Sequence, residues 1–314
     1  MLCKICLIIV PKLFWLCEIS YREAHFWYVI PDEVKGTSLL EQYLEILSPS
    51  EKQAVLSLKE DELRKRAILT RTLVRATIAR YQTNSSIDPR TLSFKKNSYG
   101  KPEVDMQFAS GDMLPPLHFN LSHTSSMVAC GITAHSPVGI DVEEKKRIIK
   151  HDVMSFARRF FSPHEVEHLA SISDPEKRQQ ELIKLWTLKE SYVKALGRGF
   201  AACPFKTFSI SSKASSISVS DVPYIADSKV PEIVESTNIS HKWQFALLEF
   251  ADTHYAAICM EKDTGFEEPE DAPMMLRVWK TVPFQEDLCA FGTHSVATIG
   301  GLVKQLDSFS CSHV

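Results

Sequence analysis

The sequence predicts an α+β fold in which two similar α+β lobes pack as a pseudo-dimer. Three observations predict it: a duplicated helix-start signal, a long helix-period run after each copy, and strand-like runs adjacent in sequence. In the first, Leu47-Ser48-Pro49-Ser50-Glu51 and Phe161-Ser162-Pro163-His164-Glu165 each put serine at an N-cap and proline at the first helical position. Each then puts glutamate at N3, where the carboxylate reaches back to the cap amide. A single copy is ordinary capping. Here each is followed, after a polar break, by a helix-period run, Glu62 to Tyr81 and Lys177 to Leu196.

Strand-like runs flank these helices at His25 to Ile30, His118 to Leu121, Met127 to Thr133, Val138 to Val142, Phe205 to Ser211, Trp243 to Phe250 and His254 to Met260. The pair around Ala251-Asp252-Thr253 reads as a hairpin, which argues against a doubly wound parallel sheet. The expected lobes are 25–136 and 137–262. Residues 1–24 form an extension of unknown role, and residues 263–314 a linker and tail of unknown role, beginning with the acidic, turn-rich run Asp263 to Pro273.

Composition narrows the partners. A hydrophobic content of 44% suits a globular, soluble core. A net charge of -3 with pI near 6.4 lacks the basic field of sequence-independent nucleic-acid binding, so an anion site must be local. The 8 cysteines are scattered without disulfide or closed zinc spacing, and the lone C-x-x-C at Cys3 and Cys6 reads as free thiols. A reducing compartment, the cytosol, is the expectation. The apolar run Ile5 to Cys17 is broken by Pro11 and Lys12 and is too short to span a bilayer, so no membrane partner is expected. It has no small-residue cleavage site, and Glu18 precedes the first arginine, Arg22, unlike an ordinary transit peptide; an atypical mitochondrial or plastid signal stays open.

The residues that suggest chemistry lie in five places. In Val138-Gly139-Ile140-Asp141-Val142-Glu143-Glu144, apolar Ile140 and Val142 alternate with Asp141 and Glu143, so both carboxylates share a strand face. Two like charges in one space favour a hard cation, although such a strand end read alone is more often a solvated edge. In the helix run ending at Gly197, Trp186, Glu190, Val193 and Lys194 share a face; a surface Glu190–Lys194 pair is the plainer reading. His118-Phe119-Asn120-Leu121-Ser122-His123-Thr124 ends in small hydroxyls and an imidazole that suit phosphate oxygens, or an ordinary turn. Tyr99-Gly100-Lys101-Pro102 is a turn. Arg64, Lys65, Arg66, Arg71 and Arg75 crowd the first long helix, where one or two could serve as the local anion site.

In this order the pieces resemble the 4′-phosphopantetheinyl transferase superfamily, specifically its larger two-lobed, surfactin-synthetase-activating type. The family's G-I-D-[IV]-E strand matches Gly139 to Glu143, its F-[FS]-x-x-E helix start matches Phe161 to Glu165, and its W-[TS]-x-K-E-[SA]-x-x-K helix matches Trp186 to Lys194. The G-K-P turn and N-[IL]-S-H segment match Gly100 to Pro102 and Asn120 to His123. The resemblance spans roughly residues 25 to 262 and leaves both ends unexplained.

The resemblance implies a cleft between the lobes that binds coenzyme A, with Asp141, Glu143 and Glu190 around Mg²⁺ at the pyrophosphate. It implies Lys189 and Lys194 at the phosphates, and Ser122, His123 and a first-lobe arginine, Arg66 or Arg71, at the 3′-phosphate. Lys101 and Pro102 would border the adenine. Glu190, as base, and Lys194 would be the catalytic residues. The implied activity is that of a holo-[acyl-carrier-protein] synthase, as in fatty acid biosynthesis. Phosphopantetheine passes from coenzyme A to a serine of an apo acyl or peptidyl carrier protein, releasing 3′,5′-ADP, and the chain acts as a monomer. A catalytically silent coenzyme A-binding interaction protein is the competing reading.

Overall fold

The computed structural model describes residues 19–20, 22–81, 88–105, 116–150, 152–213, 216–221, 243–250, 253–262, 274–292 and 304–306. Cys3, Cys6, the Ile5–Cys17 run, the acidic run 263–273 and the hairpin turn at 251–252 lie outside these residues.

The first half of the chain gives strand β1 (Glu23–Val29) and helices α1 (Thr37–Leu44), α2 (Pro49–Leu56) and α3 (Asp61–Arg80). A short hairpin, β2 (Phe94–Lys96) and β3 (Pro102–Val104), precedes the pair β4 (Leu117–His123) and β5 (Val128–Ala134). The second half opens with β6 (Val138–Glu144), followed by α4 (Val153–Phe160), α5 (Pro163–Ser171), α6 (Pro175–Leu196) and the single turn α7 (Gly199–Ala202). Hairpin β7 (Phe208–Lys213) and β8 (Ser216–Asp221) precedes the pair β9 (Trp243–Phe250) and β10 (His254–Glu261). Three strands follow: β11 (Met275–Val282), β12 (Glu286–Gly292) and β13 (Lys304–Leu306).

The fold is α+β. One sheet has the order β12-β11-β1-β5-β4 and the other β13-β9-β10-β6. Within them, β1-β5-β4 and β6-β10-β9 are antiparallel runs of the same order. Strand alternation divides the apolar residues into three cores. Phe26 and Tyr28 of β1 meet Ile140 and Val142 of β6 and Ile258 of β10 in a core between the sheets. Trp27 and Val29 face the other way, onto Leu69 and Leu73 of α3. Ala257 and Cys259 likewise face Leu188 and Tyr192 of α6.

Both capping boxes form. Ser48 accepts from the Glu51 amide at 3.3 Å while Glu51 accepts from the Ser48 amide at 2.9 Å; Ser162 and Glu165 repeat this at 3.3 and 3.0 Å. Each capping glutamate also holds a buried cation. Arg75, 24 residues beyond Glu51, pairs with it at 2.7 Å, and Lys189, the same distance beyond Glu165, pairs with that carboxylate at 2.7 Å.

Residues 275–292, without a role in the sequence reading, build the first sheet. β11 runs parallel to β1 with Glu23 opposite Met275, and β12 pairs with β11. Arg80 of α3 grips both oxygens of Asp287, at 2.7 and 2.9 Å, and Trp279 stacks on Trp27 with ring centroids 5.0 Å apart. Tyr43 donates to the Pro283 carbonyl at 2.7 Å.

The outer edge of β6 meets β4 through side chains. Asn120 Oδ1 accepts from the Ile140 amide at 2.9 Å, and Ser122 Oγ from the Val142 amide at 3.2 Å, satisfying amides that have no strand partner. On the helix side β6 lies so close to α6 that a Cβ on Gly139 would stand 2.0 Å from the Ser191 carbonyl oxygen and 2.2 Å from the Ala195 nitrogen.

Candidate functional site

The junction of β4, β6 and α6 gathers the charged residues. Asp141, 5% exposed, accepts from Lys194 Nζ at 2.6 Å and from Ser122 Oγ at 3.0 Å. Lys194 also donates to Ser122 Oγ at 3.2 Å. The second oxygen of Asp141, Oδ2, is buried with no hydrogen-bond partner among the described residues. Burial holds this carboxyl above the usual range in spite of Lys194 and Ser122. These groups border a cavity of about 530 Å³, lined also by His123, Thr124, Ser125, Glu143, Glu144 and Arg147.

Glu143 shares the face of Asp141, as strand alternation requires, and pairs with Arg147 at 2.5 Å. Burial, then repulsion from Asp141, pushes its carboxyl up to about 7. Glu190, one turn before Lys194, is half-buried, and its carboxyl is raised by burial and by Asp141. The three carboxylates therefore feel one another's charge. Among the described residues no group of three or more His, Cys, Asp or Glu side chains forms a metal-holding cluster, and Lys194 and Arg147 hold two of these carboxylates.

A carboxyl raised by folding contributes stability that is complete below its ordinary value of 4.5 and is lost as pH rises through about 7. The metal-free protein is expected to melt at a lower temperature at pH 8 than at pH 5. In thermal melts at both pH values, Glu143→Gln should narrow that gap; an unchanged gap would remove Glu143 as its source.

Of the other expected residues, His123 is exposed at the end of β4 on the cavity wall. Arg66 donates to the Thr124 carbonyl at 3.5 Å, and its charge, after burial, helps hold the His123 imidazole below its usual range. Arg71 does not join them: it donates to the Ala67 carbonyl of its own helix at 3.1 Å, five positions round α3 from Arg66.

Lys189 is a correction. It faces away from the cavity, wholly buried, paired with Glu165 and donating to the Phe208 carbonyl at 2.7 Å, with the Phe208 ring centroid 4.0 Å away. Adjacent helix positions point about 100° apart, and here Lys189 lies on the core side of α6 while Glu190 is half-buried. Lys189→Met leaves Glu165 buried without its cation and should cost about 3–5 kcal/mol in urea unfolding. The KM of the folded variant should stay at the wild-type value; a raised KM would return Lys189 to the site.

Lys101 and Pro102 are a second correction. Lys101 Nζ donates to the Val138 and Ala195 carbonyls at 2.8 and 3.3 Å, and Asn97 Nδ2 donates to the Gly197 carbonyl at 2.9 Å. The β2–β3 turn thus satisfies carbonyls at the end of α6, where the helix stops at Gly197 with φ of 66°. Lys101 and Pro102 line a different cavity, of about 690 Å³, with His118 and Gly197.

Comparison with known proteins decides the family. The 4′-phosphopantetheinyl transferase superfamily matches residues 137–259, and the family described as 4′-phosphopantetheinyl transferase, N-terminal, matches residues 36–135. The 4′-phosphopantetheinyl transferase HetI of Nostoc sp. is 32% identical over 179 residues, 57% of this chain and 70% of the relative. The chain belongs to the 4′-phosphopantetheinyl transferase superfamily. The transferase is also 32% identical to Sfp of Bacillus subtilis over 54% of this chain and 68% of the relative. L-aminoadipate-semialdehyde dehydrogenase-phosphopantetheinyl transferase of Rattus norvegicus is 23% identical over 80% of this chain and 79% of its own. In the transferase, Arg66, Ser122 and His123 fall in the N-terminal match, and Asp141, Glu143, Glu190 and Lys194 in the other.

Arg147, Thr124, Ser125 and Glu144 were not singled out as site residues. Arg147 had a signal, since it ends a Lys145-Lys146-Arg147 run directly after the carboxylates. Thr124 and Ser125 continue the hydroxyl run from Ser122, but nothing in their spacing shows that the turn folds onto the cavity.

Proposed function

We propose that this transferase moves the 4′-phosphopantetheine of coenzyme A to a serine of an apo acyl carrier protein, as a holo-[acyl-carrier-protein] synthase. In this reading the two units form a pseudo-dimer and coenzyme A occupies the cleft between β4 and β6. The observation that carries it is the buried Asp141, tied to Lys194 and Ser122 across that junction with one oxygen unpartnered among the described residues. Duplication within one chain supports a monomer, and cysteines scattered without disulfide spacing support the cytosol.

The donor chemistry suits Mg²⁺ although the three side chains form no ready-made cluster: three carboxylates with raised affinity for protons, one with an orphaned oxygen, are short of positive charge. Asp141, Glu143 and Glu190 would hold the ion, which when bound supplies charge neutralisation at the cofactor's pyrophosphate. His123, with Arg66 behind it, binds the 3′-phosphate, and Ser122 orients Asp141. Glu190, its carboxyl raised toward neutrality, takes the proton of the attacking serine hydroxyl. Lys194, partly exposed to the cavity, carries positive charge to the departing phosphate, and 3′,5′-ADP leaves.

The test is to incubate the protein with an apo acyl carrier protein, coenzyme A and Mg²⁺ and follow the carrier's intact mass. Addition of phosphopantetheine is expected, and EDTA should stop it. Transfer to peptidyl but not acyl carriers would reassign the substrate; binding of coenzyme A without transfer to any carrier would favour the silent reading. Glu190→Gln separates two roles. It should lose transfer and shrink the rise in melting temperature that Mg²⁺ causes; loss of transfer with the full rise retained would leave Glu190 as base alone.

A further inference from the structure

His254 opens β10 directly opposite Glu144 of β6 and is 3% exposed. Its Nε2 lies 3.1 Å from Thr124 Oγ1 and 3.0 Å from Ser126 Oγ, both in the turn joining β4 to β5. Thr124 Oγ1 already accepts from the Ser126 and Met127 amides, at 3.2 and 3.1 Å, so its own proton is the one available to Nε2. Ser126 and Ser125 hydroxyls both donate to Glu144 Oε1. Nε2 thus lies between a hydroxyl that can donate to it, Thr124, and one that can accept from it, Ser126, and Nδ1 is buried with no partner among the described residues. Burial, the largest influence, keeps the imidazole below its usual range.

The turn that His254 holds belongs to the cavity wall. Thr124 and Ser125 line it with Ser122 and His123, whereas His254 stands behind them and does not. His254 comes from the second sheet and the turn from the first, so the contact also fixes the spacing of the two sheets at this end. The link has four residues, and three of them, Thr124, Ser125 and Ser126, are small hydroxyl residues whose shape the buried hydrogen-bonded ring holds.

We propose that His254 is a positioning residue for the cofactor's 3′-phosphate: it fixes the Thr124–Ser126 turn so that His123, at its start, and Arg66, bonded to the Thr124 carbonyl, face that phosphate. This rests on reading the cavity as the coenzyme A site. Nothing in it involves proton transfer, and His254 touches no reacting atom.

The test measures steady-state constants with coenzyme A and with 3′-dephospho-coenzyme A. In His254→Ala the KM for coenzyme A should rise about tenfold, the loss of roughly one hydrogen bond to a charged group. The kcat, and the KM for the dephospho substrate, should stay at wild-type values. His254→Gln, which can place its amide where Nε2 stands, should recover most of the lost affinity. If His254→Ala proves insoluble, Thr124→Val removes the partner hydroxyl from the other side and reads the same ratio. An unchanged KM for coenzyme A overturns the proposal, as does an equal rise for both substrates with no rescue by glutamine. Asp141→Asn is the control for the underlying reading. If it is inactive while His254→Ala matches wild type, only the positioning role fails; if both match wild type, the cavity is not the cofactor site.

Discussion

Asp141→Asn abolishes phosphopantetheine transfer, with kcat/KM expected to fall at least about a thousandfold, the scale of losing a buried charge that stabilises a reacting group. Asparagine keeps the shape and the acceptor that Ser122 and Lys194 use, so the fold should persist. What disappears is the negative charge with its unpartnered oxygen. That carboxyl is already held above its usual range by burial, so its charge weakens the metal-free fold. Without Mg²⁺ the variant should therefore melt no lower than wild type, and the rise that Mg²⁺ gives wild type should vanish. Calorimetry with and without Mg²⁺, beside the carrier mass assay, checks both halves. Wild-type turnover would remove Asp141 from the mechanism, and a large fall in melting temperature would make its role structural.

The second large effect is expected at Gly139, which touches no substrate. An added methyl would meet the Ser191 carbonyl oxygen at 2.0 Å and the Ala195 nitrogen at 2.2 Å, both backbone atoms of α6. Neither can rotate away, so β6 or α6 must move. Since α6 carries Glu190 and Lys194 and β6 carries Asp141 and Glu143, any movement also pulls the site apart. Gly139→Ala should cost more than about 4 kcal/mol in urea unfolding, the range reserved for backbone clash and overpacking. Any folded fraction should be inactive. Wild-type stability in this variant would show that the strand and helix do not pack this closely.

The α+β class was legible because both long helices carry unbroken 3.6-residue patterns and both start signals are complete. Trp243–Phe250 was read to the residue because alternation and the following turn agree. That Asp141 and Glu143 share a face was legible because strand alternation alone sets it. Lys189 was not. Its place in a motif beside Glu190 says nothing about direction, and only the buried Glu165, reachable from the other side of α6, reveals that it is held in the core. Lys101 was misread for a related reason, since a lysine in an open turn and one bent onto the end of a helix have the same local sequence. The strands at 275–292 were hidden because a parallel partner more than two hundred residues earlier leaves no local trace.

That returning hairpin bears on how many cofactors a chain can take. A step of 114 residues carries Glu51 to Glu165, Arg75 to Lys189, Arg80 to Lys194 and Trp27 to Asp141. Where Lys194 meets Asp141, Arg80 lies 4.9 Å over the Trp27 ring and takes its anion from Asp287. Trp279 covers the remaining face of Trp27. The first unit thus has an aromatic at the position one step before Asp141, and the protein's own later residues cover it. If Asp141 binds the cofactor as proposed, saturation at one coenzyme A per chain is the expected stoichiometry.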